Sequence, residues 1–217
     1  RRLRKPTSLG TCFRAIKAAR DLNDKKNIDP AQIDLVIVAT ATPDMPVSST
    51  AAYVATEIGA TNAFAYDLQG ACSGFLFGMS AASSHVSSGN YSKVLLIGAD
   101  TMSSIIDYTD RSTCVIFGDG AGAVLFEPNE EGLGLQDEVL RVDGKGRTYL
   151  KIEAGGSMLP TSNNTVAEKQ HFLHQEGRPV FKFAVSNMSN SISQVLERNN
   201  LSKDDIDLVI AQQANKR

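Results

Sequence analysis

The segment "IDLVIVATAT", residues 33–42, is the stretch of this chain that decides its fold. Aliphatic side chains follow one another without a polar interruption from Leu35 to Ala39. Such a run is typical of a strand that is buried on both faces, as strands of parallel sheets are. Pro43 and Pro46 end the run, because proline has no N–H to donate to a strand ladder. We therefore predict a buried strand here.

Helical and strand patterns alternate on both sides of this segment. Helices are predicted at residues 11–22, from Ser48 or Ser49 to Gly59, and from Ala71 to about Ser88, and further strands at residues 63–67 and 93–100. Strands that alternate with helices indicate an α/β fold with a largely parallel sheet.

The remainder of the chain is less regular. The patterns predict two strands around a glycine-rich turn at residues 114–126, a loop with some edge strand at 132–165, a long helix at 181–198 and a final strand at 206–211. The turn "GDGAGA", residues 118–123, does not fit a dinucleotide-binding loop, since the strand-like "VLFEP" follows it instead of a helix. We expect its glycines to let two backbones pack closely.

An internal repeat links the two ends of the chain. "IDPAQIDLVIVA", residues 28–39, and "LSKDDIDLVIAQ", residues 201–212, share the pentapeptide "IDLVI", and each follows a helix and an acidic turn. This similarity predicts a duplicated α/β unit whose second copy has only begun when the chain ends. Chance similarity between two buried strands is the alternative.

Charge and cysteine content argue against several classes of function. The net charge is −2, from 22 basic and 24 acidic residues, and favours neither nucleic acid nor an anionic membrane as partner. No apolar run reaches the roughly 18 residues of a membrane span. Three scattered cysteines and three scattered histidines indicate neither a disulfide framework nor a metal site. We expect a reducing, cytoplasmic location.

The segment "DLQGACSGF", residues 67–75, surrounds Cys72 with small residues. If a strand ends here and a helix begins, Cys72 lies in the first helical turn, where the helix dipole stabilises a thiolate. A backbone N–H of the same turn can bind a developing oxyanion. The small neighbours would leave a substrate carbonyl room to reach the sulfur of a nucleophile. A buried structural cysteine, with two backbones packed closely around it, is the alternative.

Amide and basic side chains supply further candidates. The final segment "IAQQANKR" places Gln212, Gln213 and Asn215 at the carboxyl end of a predicted strand, where open α/β sheets have their sites. Amides there can donate hydrogen bonds to a carbonyl oxygen or simply cap a loop. Basic residues that could hold a phosphate-bearing carrier, or lie on a solvated surface, are Arg1, Arg2, Arg4, Lys5, Arg111, Lys182 and Arg217.

Taken in order, four segments resemble β-ketoacyl-acyl carrier protein synthase III, the thiolase-fold condensing enzyme that starts bacterial type II fatty-acid synthesis. They are "DLQGACSGF", "DYTDRSTCVIFGDGAGAVLFEP", "EGRPVFKFAV" and "QQANKR". The resemblance implies an α/β, thiolase-like fold, layered αβαβα with duplicated halves and cut short here in its second half. Residues 1–165 would form the N-terminal half with connecting loops, and residues 166–217 would begin the C-terminal half. It also implies a homodimer that needs no cofactor or metal.

The resemblance implies a mechanism with Cys72 as the nucleophile. A short acyl group would pass from coenzyme A to Cys72, and the enolate of decarboxylated malonyl-acyl carrier protein would then attack that thioester. Arg111 would contact the coenzyme A nucleotide, with Arg1 and Arg2 near its phosphates. The residues implied to hold the acyl carrier protein or its phosphopantetheine are Lys182, Gln213, Ala214, Asn215, Lys216 and Arg217.

Two departures from the family pattern affect this expectation. Gln212 occupies the position of the family's catalytic histidine, and glutamine can donate a hydrogen bond but carries no positive charge. We therefore expect weakened decarboxylation with acylation of Cys72 spared. The second departure is length: family members have a strand before Arg1 and a substantial portion, with a catalytic asparagine, after Arg217. A fragment of these residues alone is expected to be inactive in condensation.

Two other functions remain open on the sequence. One is a related thiolase-fold acyltransferase of secondary metabolism, which would use the same cysteine with another acceptor. The other is a non-catalytic relative that binds acyl carriers, for which Gln212 is the only support.

Overall fold

The computed structural model describes residues 9–212, which form two compact units. The first unit comprises residues 9–103 together with Gly118–Gln136. The second comprises Ser104–Phe117 and the described residues from Asp137 onward.

A four-stranded sheet forms the centre of the first unit. Its strands are β1 (Leu35–Ala39), β2 (Phe64–Leu68), β3 (Val94–Asp100) and β4 (Gly120–Phe126), in the order β2-β1-β3-β4. β1 runs parallel to both β2 and β3, whereas β4 is antiparallel to β3. The carboxyl ends of β1, β2 and β3 therefore meet at one edge of the sheet.

Helices cover both faces of this sheet. They are α1 (Thr11–Lys26), α2 (Thr50–Ile58) and α3 (Gly74–Ser87). Val36 and Val38 of β1 belong to the apolar cluster with α1 and α2, while Leu35 and Ile37 belong to the cluster with α3. All four side chains are fully buried, and each such burial contributes about 1.5–3 kcal/mol. The predicted buried strand is confirmed, and the sheet order places it between β2 and β3.

The ends of α2 confirm the predicted caps. The side chain of Ser49 accepts a hydrogen bond from the N–H of Ala52, and Gly59 closes the helix with a φ of 86°. α1 begins at Thr11, as predicted, but continues to Lys26 before Asn27 turns into the left-handed region.

The second unit contains a short hairpin and a long helix. β5 (Leu150–Ile152) pairs antiparallel with β6 (Leu173–Gln175), α4 (Asn163–Ala167) lies between them in the chain, and α5 spans Gly177–Arg198. The predicted long helix is confirmed, although it begins at Gly177 instead of Phe181. The edge strand expected within residues 132–165 corresponds to β5.

Of the two strands predicted around a glycine-rich turn, the first is absent. Only one strand, β4, forms within residues 114–126, and the glycine-rich segment is part of it, while residues 114–116 form turns. A Cβ placed on Gly118, Gly120 or Gly122 would meet no atom within 4 Å. The expectation that these glycines bring two backbones together is therefore also wrong. β4 is the last strand in the sheet order, so these residues have a neighbouring strand on one side only.

The predicted strand at residues 206–211 is also not formed. Leu208, Val209 and Ile210 are 74%, 62% and 83% exposed, although the same pentapeptide is buried in β1. A strand is stabilised by its ladder partners and by burial of its side chains, not by its own sequence alone. Within residues 9–212, no strand pairs with this segment.

Candidate active site

Cys72 lies directly after the carboxyl end of β2, in the 3-10 turn Ala71–Ser73 that leads into α3. The N–H of Ser73 donates to the carbonyl oxygen of Gly70 at 3.1 Å, and the N–H of Gly74 donates to that of Ala71. These bonds hold Cys72 at the outside of a tight strand-to-helix turn, and the residue is exposed. The predicted strand-to-helix connection is confirmed, but the α-helix begins at Gly74 and Cys72 lies two residues before it, in the 3-10 turn, instead of in the first turn of the α-helix.

The small residues around Cys72 allow the backbone to pass very close to itself. A Cβ on Gly70 would lie 2.7 Å from Cδ2 of Phe77 and 2.9 Å from Cα of Gly74. One turn into α3, a Cβ on Gly78 would lie 2.4 Å from Cδ1 of Leu96 in β3. The glycines therefore serve tight packing of the turn and of α3 against the sheet, while the sulfur remains exposed.

Ala71 contributes backbone strain at the same turn. Its φ is 45°, in the left-handed region that costs a residue with a Cβ about 1–2 kcal/mol. The strain lies on the residue that immediately precedes Cys72. The rest of the structure must compensate for this cost. Sequence patterns gave no sign of this conformation.

Gly70→Ala is expected to lower the rate of Cys72 acylation at least about tenfold while leaving the fold intact. The new methyl group would press on the backbone of Gly74, which cannot rotate away as a side chain can. Stopped-flow acylation rates together with circular dichroism test this. Gly120→Ala, where a Cβ meets nothing within 4 Å, is the matched control. Equal acylation rates in both variants would contradict the role assigned to Gly70.

The other two cysteines are less suited to nucleophilic attack. Cys12 is partly buried at the start of α1, and burial, followed by a hydrogen bond to Asp44, raises the pKa of its thiol. Cys114 is likewise partly buried. Of the three free cysteines, only Cys72 is exposed.

Asp67 fixes the neighbouring helix to the strand that leads to Cys72. One of its carboxylate oxygens accepts a hydrogen bond from the N–H of Thr50 at 2.8 Å, and the other from the N–H of Ala51 at 2.7 Å. A carboxylate at a helix N-terminus is favoured by the helix dipole. Asp67 thereby joins α2 to β2 at the candidate site. Its position at the end of a predicted strand was the only available sequence signal.

A polar network occupies the carboxyl ends of β1 and β3. Oδ1 of Asp100 accepts hydrogen bonds from the N–H of Ala41 at 2.8 Å and from the hydroxyls of Thr40 and Thr42 at 3.1 and 2.9 Å. The N–H of Thr101 in turn donates to Oγ1 of Thr42 at 2.8 Å. This network holds two of the three strand ends at the site edge in register. Sequence analysis did not identify any of these residues.

Arg111 lies exposed in a loop that is braced by two aspartates. Asp107 accepts hydrogen bonds from the N–H and hydroxyl of Thr109 and from Nζ of Lys169 at 2.9 Å. Asp110 accepts from the hydroxyls of Ser112 and Thr113, at 2.7 Å each. The hydrogen bond from the Thr109 hydroxyl, and then that from Lys169, lower the pKa of Asp107 to about 2.

We expect low pH to weaken the hydrogen bonds by which Asp107 holds this loop. Since the pKa of Asp107 is about 2 in the folded chain and 3.8 without these partners, its stabilising contribution is complete above pH 3.8 and is lost as the pH falls through 2. Carbon-13 NMR of the Asp107 carboxyl should give a midpoint near 2. Thr109→Ala should move the midpoint upward, and Ser87→Ala serves as a control. A midpoint near 3.8 in the unmodified chain would contradict the bracing.

The other predicted site residues are placed as follows. Lys182 is exposed on α5, and Gln212 is exposed beyond the segment that fails to form a strand. Cys72 belongs to the first unit, whereas Arg111, Lys182 and Gln212 belong to the second. Nine candidate residues lie outside the described range: Arg1, Arg2, Arg4, Lys5, Gln213, Ala214, Asn215, Lys216 and Arg217.

Residues 9–212 contain neither a metal-binding cluster nor a membrane-spanning helix. No group of three or more His, Cys, Asp or Glu side chains is arranged to hold a metal ion in this part of the chain. None of its helices is both long enough and apolar enough to span a membrane.

Comparison with known sequences gives consistent matches. Residues 66–144, which include Cys72 and Arg111, match the family model of 3-oxoacyl-[acyl-carrier-protein (ACP)] synthase III. A β-ketoacyl-[acyl-carrier-protein] synthase III of Bacteroides thetaiotaomicron is 52% identical over 96% of this chain and 62% of its own length. One from Chlorobium chlorochromatii is 47% identical over 100% of this chain and 67% of its own length. The chain thus spans slightly under two thirds of the Bacteroides relative.

Comparison with solved structures supports the fold. A crystal structure of a 3-oxoacyl-(acyl-carrier-protein) synthase III superposes with a TM-score of 0.87 and 28% identity, covering 95% of this chain and 65% of the other. The predicted thiolase-like α/β fold is confirmed.

Proposed function

This chain belongs to the β-ketoacyl-[acyl-carrier-protein] synthase III family, and from that premise we propose that its protein condenses a short acyl-CoA with malonyl-acyl carrier protein. The observation that carries the proposal is the exposed Cys72 in its tight turn between β2 and α3. The product would be a β-ketoacyl-acyl carrier protein that initiates fatty-acid synthesis.

The first step is transfer of the acyl group to Cys72. The Cys72 thiolate attacks the carbonyl carbon of acyl-CoA, the bond from that carbon to the coenzyme A sulfur breaks, and coenzyme A leaves as a thiolate that takes up a proton. The dipole of α3 favours the attacking anion. We assign the backbone N–H of Cys72 to the developing oxyanion, because the N–H groups of Ser73 and Gly74 already donate within the turn.

The second step is decarboxylative condensation. The bond between the malonyl carboxylate and its α-carbon breaks, carbon dioxide leaves, and the electron pair forms an enolate. The enolate carbon attacks the acyl carbonyl on Cys72, and the Cys72 sulfur leaves as a thiolate, ready for the next cycle. The electrons balance without oxidant or reductant, so the proposed steps require no redox cofactor, and we assign no cofactor or metal to them.

Gln212 is proposed to donate a hydrogen bond to the malonyl thioester oxygen as the enolate forms. A glutamine amide can donate this bond, but it supplies no charge and no titratable proton. We therefore expect condensation to be slower than acyl transfer in this protein.

Basic and amide side chains are proposed to hold the two carriers. Arg111, with Arg1 and Arg2, would bind the coenzyme A nucleotide, and the hydrogen bonds of Asp107 and Asp110 support its part by holding the loop from which Arg111 projects. The residues proposed to hold the acyl carrier protein are Lys182, Gln213, Ala214, Asn215, Lys216 and Arg217.

A cytoplasmic homodimer is proposed as the assembled form. β2 is an edge strand of its sheet, and four of its five residues are partly buried although one side of the strand is unpaired within the described chain. An edge strand of this kind can pair with that of a second copy. Three free cysteines fit a reducing compartment.

The division into halves at residues 165 and 166 stays a prediction.

Turnover assays test the proposed function. The full gene product, given acetyl-CoA and malonyl-acyl carrier protein, should release carbon dioxide and form acetoacetyl-acyl carrier protein. Malonyl-CoA or small acceptors should be poor replacements for the carrier protein. Preference for those acceptors would favour the acyltransferase of secondary metabolism, and binding without any acyl transfer would favour a carrier-binding protein.

A further inference from the structure

Asp119, in the glycine-rich segment, joins three separate parts of the chain. Its carboxylate accepts hydrogen bonds from the N–H and the hydroxyl of Ser103, both at 2.8 Å. It also forms an ion pair with Arg14 of α1 at 2.6 Å. Arg14 in turn donates to the carbonyl oxygens of Leu9 and Gly10, just before α1.

The side chains of this ion pair are partly shielded from water, although Asp119 lies at the surface. The side chains of Arg14 and Asp119 are only 16% and 19% exposed. A charge-assisted hydrogen bond that is partly shielded from water is stronger than a pair on an open surface. We call the contacts of Asp119 with Arg14 and Ser103 the Asp119 junction.

The Asp119 junction lies next to the two points, Ser103 and Gly118, at which the chain leaves the first unit and returns to it. Ser103 is the last residue before Ser104–Phe117, which is part of the second unit, and Gly118, adjacent to Asp119, is the first residue after it. The bonds between Asp119 and Ser103 therefore hold together the two ends, or base, of the loop Ser104–Phe117. Arg111 lies in this loop.

We propose that Asp119 is a positioning residue that closes the base of Ser104–Phe117 and thereby fixes Arg111 for the coenzyme A nucleotide. The assignment to coenzyme A rests on the proposed function, whereas the closure of the base does not. We assign Asp119 no contact with the substrate. Its role is to hold the loop that contains Arg111.

Asp119→Asn is the primary test, measured on the full gene product. Asparagine keeps one acceptor for Ser103 but carries no charge for Arg14. KM for acetyl-CoA should rise about tenfold, the effect of losing one charge-assisted contact. KM for malonyl-acyl carrier protein and kcat should change less than about twofold. Asp21→Asn, which removes the exposed ion pair with Lys25, is the matched control and should change none of these.

A double-mutant cycle separates positioning from general stability. If Asp119 acts through Arg111, Asp119→Asn should raise KM for acetyl-CoA little further in an Arg111→Ala background. Hydrogen exchange should also be faster across Ser104–Phe117 in Asp119→Asn. Ser103→Ala, which removes the hydroxyl and keeps the N–H donor, should give smaller changes in the same direction and remains informative if Asp119→Asn folds poorly.

Three outcomes decide the matter. Additive effects of the Asp119 and Arg111 substitutions, or unchanged exchange across Ser104–Phe117, would overturn the inference even if the unmodified protein condenses normally. A second outcome is faster hydrogen exchange across Ser104–Phe117 in Asp119→Asn while the unmodified protein does not use acetyl-CoA. It would support the role of Asp119 in holding the loop, but it would contradict the link to coenzyme A and the proposed function. A selective rise in KM for acetyl-CoA with non-additivity supports the inference as stated.

Discussion

Replacing Cys72 by alanine should lower condensation by at least about 10³-fold and abolish acyl transfer from acetyl-CoA. Neither of the other two cysteines is placed to take over as nucleophile, because Cys12 and Cys114 are partly buried and lie elsewhere in the chain. Alanine also fits the turn, so the fold should persist. Radiolabelled acetyl transfer and carbon dioxide release are the two measurements.

Cys114→Ala is the matched control for this experiment and should retain most of the activity. Acyl transfer by Cys72→Ala above about a tenth of the original rate would remove Cys72 from the mechanism. Loss of activity in Cys114→Ala with retention in Cys72→Ala would transfer the role to Cys114.

Gln212→His should accelerate condensation about tenfold or more, and up to the roughly 10²–10³-fold that one well-placed oxyanion donor contributes. Histidine can carry a positive charge toward the developing enolate, which glutamine cannot. The rate of Cys72 acylation by acetyl-CoA should change less than about twofold, because Gln212 is assigned only to the malonyl thioester.

Separate measurement of the two half-reactions tests this assignment. Gln212→Asn, which keeps an amide but shortens the side chain, is the control and should give no gain. Equal changes in acyl transfer and condensation on Gln212→His would contradict the division of roles. A gain confined to condensation would also mean that the present chain has a slow decarboxylation step.

Local sequence signals were sufficient where the structure depends on near neighbours. The unbroken aliphatic run of β1 predicted burial on both faces, and Ser49 and Gly59 predicted the two ends of α2. The small residues around Cys72 predicted a tight turn with an accessible thiol, and both properties are present. These features depend on side-chain size, hydrogen-bonding capacity and backbone freedom within a few residues.

Sequence patterns failed where the structure depends on distant partners. The pentapeptide of β1 recurs at residues 206–210, yet it forms no strand there because the described chain offers it no ladder partner. The roles of Asp67, Asp100 and Asp119 depend on which strand ends lie side by side, which no local pattern encodes. The left-handed conformation of Ala71 is likewise not encoded by its residue type, since alanine rarely adopts it.

Peptide mapping by mass spectrometry, after brief exposure of the full gene product to acetyl-CoA alone, tests the central claim most directly. One acetyl group should appear on the peptide that contains Cys72, and hydroxylamine or added malonyl-acyl carrier protein should remove it. An unmodified Cys72 peptide, or an acetyl group found instead on Cys12 or Cys114, would contradict the account.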